Sequence, residues 1–163
     1  MKPMCRVEDM TLDVYVPTTE KNRMNYMQLR QLLKNEDSWR FAFFDFTSDD
    51  GFRVFHGLRH YWRNRNDVLG VHANEFMDDI VQDICYGLGV FCEKYFAPKI
   101  LLMDDGHFLM SSETSQRELY VLLKKRLEAK KLTILMSPYG LSEMRTYFRD
   151  DLIQMMALGL QEA

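Results

Sequence analysis

The chain has 163 residues, a length that suits one domain spanning 1–163, and 47% of them are apolar, enough for a real core. Its formal net charge of -3 disfavours a nonspecific nucleic-acid binder with a broad basic surface. No apolar run approaches membrane-spanning length, so no membrane partner is expected, and the N-terminus lacks a charged-then-apolar signal pattern.

Residues 1–17 read as an irregular lead-in, with a short edge segment from Met10 to Val16 ahead of Pro17. Thr18 or Thr19 can cap a helix running to about Asn35, with Tyr26, Leu29, Leu32 and Leu33 on its apolar face. Trp39 to Phe46 is rich in aromatic residues, which favours a buried strand over a helix. Thr47 to Gly51 then reads as a polar turn, and a second helix covers about Phe52 to Asn64. Val68 to His72 is a short strand. Asn74 can cap a third helix with Phe76, Met77, Ile80, Val81 and Ile84 on one face, ended by Gly87 and Gly89. A further helical piece, Val90 to Phe96, stops before Pro98. The three cysteines, Cys5, Cys85 and Cys92, form no metal or CxxC motif. An odd count without a signal peptide fits a reducing cytoplasm, and Cys85 and Cys92 read as buried free thiols.

The run from Lys99 to Leu109 has the most chemical content. Ile100 to Met103 is apolar throughout, as in a strand buried on both faces, and it ends in the adjacent carboxylates Asp104 and Asp105. In open α/β sheets ligands collect at that end of a strand, and a carboxylate there can hold Mg²⁺ and polarise water. Ser111 to Ser115 offers several caps for the next helix, Ser115 with Glu118 forming a capping box, and that helix carries Leu119, Leu122, Leu123 and Leu127 on one side. Its other side carries the basic residues Lys124, Lys125, Arg126, Lys130 and Lys131. Leu132 to Met136 is another apolar strand. Ser142 to Tyr147 is a short helix, Leu152 to Met156 a helix or turn, and Leu158 to Leu160 a final short strand. The alternation predicts a three-layer α/β/α fold around a parallel sheet of about five strands.

From Val68 to Leu160 the chain resembles the bacterial replication initiators of the DnaA type and their shorter Hda relatives, which are AAA+ ATPases. Met103 to Leu109 is similar to the Walker B block of that family. Ser115-Gln116-Arg117-Glu118 is similar to its T-Q-E-E helix start, and Thr133 to Ser137 to its sensor-1 strand. Arg149 to Leu152, ending in Leu158-Gly159-Leu160, is similar to its E-D-R-L…W-G-L block. Upstream, His56 to Tyr61, Val68 to Phe76 and Thr11 to Pro17 also match. The resemblance implies a nucleotide-hydrolase-like core without a helical lid, since the lid would begin about where the chain stops.

The departures from that pattern concern ATP chemistry. A phosphate loop wants Gly-Lys-Ser/Thr, and the chain has Gly51-Phe52-Arg53. No lysine occurs between Lys34 and Lys94, and Asp45, Asp49 and Asp50 would put negative charge where phosphates lie. A unit charge against another at about 4 Å costs roughly 4 kcal/mol near a protein surface. At sensor 1, Ser137 is followed by Pro138 in place of a polar residue, and the arginine-finger position falls on Met155. Asp104 and Asp105 then read as a relic Walker B with no catalytic residues, no metal and no cofactor. The expected function is a non-catalytic protein acting on DnaA or another replication-initiation component, with a homo-oligomer left open.

The competing readings are an ATP- or ADP-binding protein with an atypical loop, and a DNA-binding module using the helix bearing Arg59, Arg63 and Arg65 beside Tyr61 and Trp62. DNA is not the favoured partner, and both basic clusters read first as solvated helix faces. A hydrolase using Asp104, Asp105 and His107 is a further alternative. His56 and His60 share a helix face but are too few for a metal site. Met155-Met156 suggests an apolar contact or simple core.

Overall fold

The computed structural model describes residues 10–87 and 90–161, with the side chains of 90–92 and 161 left aside. Four strands form a parallel sheet in the order β1-β4-β3-β2: Phe41–Phe44 (β1), Val68–His72 (β2), Ile100–Asp104 (β3) and Leu132–Met136 (β4). The seven helices among the described residues are α1 Glu20–Lys34, α2 Ser48–Tyr61, α3 Ala73–Tyr86, α4 Val90–Phe96, α5 Glu113–Glu128, α6 Leu141–Met144 and α7 Asp150–Gln161. The central strands β3 and β4 are buried along their whole length, which is why their sequences are continuously apolar.

Alternation along the strands feeds two separate cores. Ile100, Leu102, Leu132 and Ile134 face Leu29 and Leu32 of α1 and Val54, Phe55 and Leu58 of α2. Leu101, Met103 and Leu135 face Phe76 and Ile80 of α3, Leu119 and Leu123 of α5, and Leu152 of α7. The three-layer α/β/α architecture is therefore as the sequence predicts, with four strands where about five were expected.

The missing strand is the clearest correction. Leu158 to Leu160 continues α7, because Leu152, Ile153, Met156 and Gly159 recur at helical spacing and turn one buried face to the sheet. At the other end, Met10 to Val16 forms a 3-10 turn over Leu12–Val14 instead of an edge segment. α1 matches its predicted bounds, capped by the Thr19 hydroxyl, which accepts the Asn22 N–H at 3.1 Å. α5 is capped by Ser112, which accepts the Ser115 N–H, three residues ahead of the predicted capping box. α3 starts after His72 without a side-chain cap and ends on Gly87, whose φ of 61° places it in the left-handed region. Val81 and Ile84, predicted for the buried face of α3, are exposed, as is the Cys85 thiol, so the buried part of the helix is the stretch holding Ala73, Phe76 and Ile80. Cys5 and the Cys92 side chain lie outside the described residues, as does Gly89.

Candidate functional site

Asp104 ends β3 and is 7% exposed. Its Oδ1 accepts the N–H of Asp105 at 2.8 Å. Asp105 itself takes the left-handed conformation, φ 57°, and the turn continues tightly through Gly106, where a Cβ would stand 2.7 Å from Leu135 Cδ1. That turn brings the Asp105 carboxylate back over the sheet end, with Oδ2 3.3 Å from His72 Nδ1. His72 ends β2 and is in register with Asp104 across the parallel pair. Burial pushes the Asp104 carboxyl up to about 6, the neighbouring Asp105 charge adds to this, and the Asp105 N–H and His72 oppose it. The histidine beside the carboxylates is thus His72, which sequence reading missed. The usable signal was that β2 and β3 both end on polar residues, so parallel pairing sets them level.

His107, offered as their partner, packs its ring against Phe108 at 4.3 Å and Tyr139 at 5.4 Å between centroids. Burial lowers its pKa, and the Asp105 charge partly offsets this. His56 and His60 do not converge either. His60 Nε2 lies 2.8 Å from Arg63 Nη1, and His56 packs on Phe52 at 4.4 Å. Burial lowers the His56 pKa, with Arg59 and His72 adding to the effect.

The predicted phosphate loop is mostly helix. β1 ends at Phe44 and α2 begins at Ser48, so residues 45–47 make the whole connection. Two aspartates in the first turn of α2 favour this early start through the helix dipole. Gly51 lies inside the helix, and its N–H donates to the Thr47 carbonyl at 2.7 Å. Phe52 and Arg53 follow on the same helix. The cleft beside them holds about 110 Å³ and is lined by Phe46, Gly51, Phe52, Met136 and Pro138 together with Asp104 and Asp105. Such a volume admits about three or four waters. Ser137 is buried, and its Oγ accepts the Tyr139 N–H at 3.1 Å.

The three aspartates expected to repel phosphate are placed differently. Asp50 is buried on the far side of α2, where it accepts from the Tyr15 hydroxyl at 2.6 Å, the Thr18 N–H at 3.1 Å and Asn22 Nδ2 at 2.7 Å. Asp45 accepts from Asn25 Nδ2 at 2.7 Å and lies 3.4 Å from Lys21 Nζ. Asp49 alone of the three is exposed.

Of the two basic clusters, Arg59, Arg63, Lys124, Lys125 and Lys130 are exposed, as on a solvated helix face, and other members are engaged within the protein. Arg65 is held by Asp67 at 2.8 Å and by Glu36, contacts that raise its pKa. Arg63 donates to the His60 carbonyl, and the Arg59 guanidinium lies 5.8 Å over the Phe55 ring. Arg126, assigned to a solvated face, is wholly buried, and Lys131 donates to the carbonyls of Phe96 and Ala97. Met155, on α7, is half-buried against the core, and Met156 is inside it.

The family model described as the bacterial DnaA ATPase domain matches residues 9–163. The chain belongs to that family. Among solved structures, domain III of the Thermotoga maritima replication initiation protein DnaA superposes with a TM-score of 0.82 at 22% identity, covering 93% of this chain and 65% of that one. AMPPCP-bound DnaA from Aquifex aeolicus superposes with a TM-score of 0.79 at 21% identity, over 93% of this chain and 49% of that one. The DnaC helicase loader gives 0.70 at 15% identity, over 96% of both chains. This chain therefore spans about half to two thirds of the two DnaA structures. No curated protein matches it significantly. The parallel sheet between two helical layers is that of the DnaA-like AAA+ fold. No helix among the described residues is long and apolar enough to cross a membrane.

Proposed function

We propose that this DnaA-family chain is non-catalytic and acts by binding another protein in the control of chromosome replication initiation. One observation carries the reading. In the segment where a triphosphate would be gripped, the Gly51 N–H is already donated to Thr47 within α2. Phe52 and Arg53 stand where lysine and Ser/Thr are needed. The residues present do not fit a nucleoside triphosphate with its cation. No lysine lines the cleft of about 110 Å³ beside that segment.

Met155 at the arginine-finger position and Pro138 after sensor 1 agree with this. An arginine in that role is worth roughly 10³–10⁵ in rate. The preserved sheet and helices then serve as a contact surface, and the natural partner is DnaA or another replication-initiation component engaged through an AAA+-type face.

Calorimetric titration with Mg-ATP and with ADP tests the first half, and the expected result is no binding heat. Clear binding of either nucleotide would replace this reading with a nucleotide-binding protein of unorthodox loop. Affinity capture from the native host, read by mass spectrometry, tests the second half. It should return a replication-initiation protein whether or not nucleotide is added.

A further inference from the structure

The geometry points to a divalent transition-metal site formed by His72, Asp104 and Asp105, suited to a Zn²⁺-class ion and filled without nucleotide. One ligand atom from each residue lies within 4.8 Å of the others. His72 Nδ1 is 3.3 Å from Asp105 Oδ2 and 4.0 Å from Asp104 Oδ2. An ion bound tetrahedrally at about 2.0–2.1 Å holds its ligands roughly 3.3–3.4 Å apart. Of the three pairs, His72–Asp105 already has that spacing, His72–Asp104 closes with a small side-chain rotation, and the two carboxylates lie within 4.8 Å of each other.

Two further observations point to a cation as the ligand here. His72 Nδ1 is buried and has no hydrogen-bond partner, although a carboxylate is close by. The 3.3 Å separation is within hydrogen-bond range, yet the two atoms make no hydrogen bond. Independently, the Asp104 side chain is nine-tenths buried. Its Oδ1 is fixed by the Asp105 N–H, and Oδ2 on the His72 side takes no hydrogen bond among the described residues. A carboxylate oriented by a backbone N–H is the usual support of a metal ligand.

The donor set selects the ion. Mg²⁺ favours an all-oxygen octahedron and keeps its waters, whereas an imidazole with carboxylates suits Zn²⁺ and its neighbours. Asp104 and Asp105 also line the cleft of about 110 Å³, so water there can complete the coordination. The site does not depend on the protein-binding reading. It requires no phosphate and no partner.

The test titrates Zn²⁺ and Mg²⁺ separately into chelator-stripped protein without nucleotide, by calorimetry, and follows Co²⁺ by its visible absorption. Expected are one Zn²⁺ per chain, Mg²⁺ at least 100-fold weaker, and tetrahedral Co²⁺ bands. His72→Ala and Asp104→Asn should each weaken Zn²⁺ at least tenfold and abolish those bands, with circular dichroism unchanged. His56→Ala, a nearby histidine outside the set, should bind as the parent does. The proposal fails if the folded protein binds no Zn²⁺, if His72→Ala binds it unchanged, or if Mg²⁺ binds as tightly. His72 is only partly buried, so His72→Ala decides the matter even if Asp104→Asn does not fold.

Discussion

Asp50 shows how one residue joins distant parts of this chain. Its carboxylate is buried without a cationic partner and is satisfied by donors from Tyr15, Thr18 and Asn22. Asn22 also exchanges hydrogen bonds with Thr47, so the lead-in, α1 and the start of α2 close on one group. Burial alone would raise the Asp50 pKa, but the hydrogen bonds from Tyr15, Thr18 and Asn22 outweigh it and hold the carboxyl below the usual range. A depressed carboxylate stabilises the fold above its unfolded pKa of about 3.9, and that stability is lost as pH falls through the folded value. Asp50→Ala should therefore cost about 3 kcal/mol in urea unfolding at pH 7. The gap to the parent protein should narrow in acid, below about pH 4. Asp50 was legible only as a charge, because its partners lie 28 to 35 residues away. Asp104 was legible as a site because its chemistry is local: an apolar run stopping on two carboxylates.

Elements with an unmixed pattern were readable, and elements that mix signals were not. β2, β4 and α4 occupy the predicted bounds, because short apolar runs between turn signals admit few alternatives there. The early start of α2 was obscured by Gly51, read as a turn residue. In the fold Gly51 sits against Phe46, where its Cβ position lies 3.6 Å from the Phe46 Cβ. α7 was divided by an apolar end that suits helix and strand equally. Only packing distinguishes them, and Gly159 is the close approach: a Cβ there would fall 2.5 Å from Phe41 Cβ and 3.0 Å from Leu127 Cδ2. Gly159→Ala should thus cost about 1–3 kcal/mol in spite of the better helix propensity of alanine. The loss should appear as faster hydrogen exchange across α7 and β1. Ordinary exchange there, with unchanged stability, would mean that the helix is not pressed onto the strand.

At the scale of the molecule, Arg126 gathers α4, α5 and the starts of the two central strands at the N-terminal end of the sheet. Its Nε donates to Thr133 Oγ1 at 2.8 Å, and its Nη groups donate to the carbonyls of Tyr95 and Pro98 at 2.9 Å and of Leu132 at 2.6 Å. α5, the end of α4, the approach to β3 and the start of β4 all meet on this guanidinium. Burial lowers its pKa to about 10, which leaves it charged at neutral pH. Reading Arg126 as one of a basic series was natural, since nothing in the spacing separates a helix position facing carbonyls from one facing water. Arg126→Met fills the space but strands those carbonyls, so a loss of about 3–5 kcal/mol is expected in chemical denaturation. Near-neutral replacement would show that water takes over the carbonyls.

The winding of residues 48–51 into α2 also sets what mutation can undo. Writing Lys and Thr at positions 52 and 53 would return two side chains while the Gly51 amide stayed engaged with Thr47. The double variant Phe52→Lys, Arg53→Thr should therefore still give no heat with Mg-ATP. A grip on phosphate would require the first helical turn to unravel as well, a change of backbone course that lies beyond any exchange of side chains.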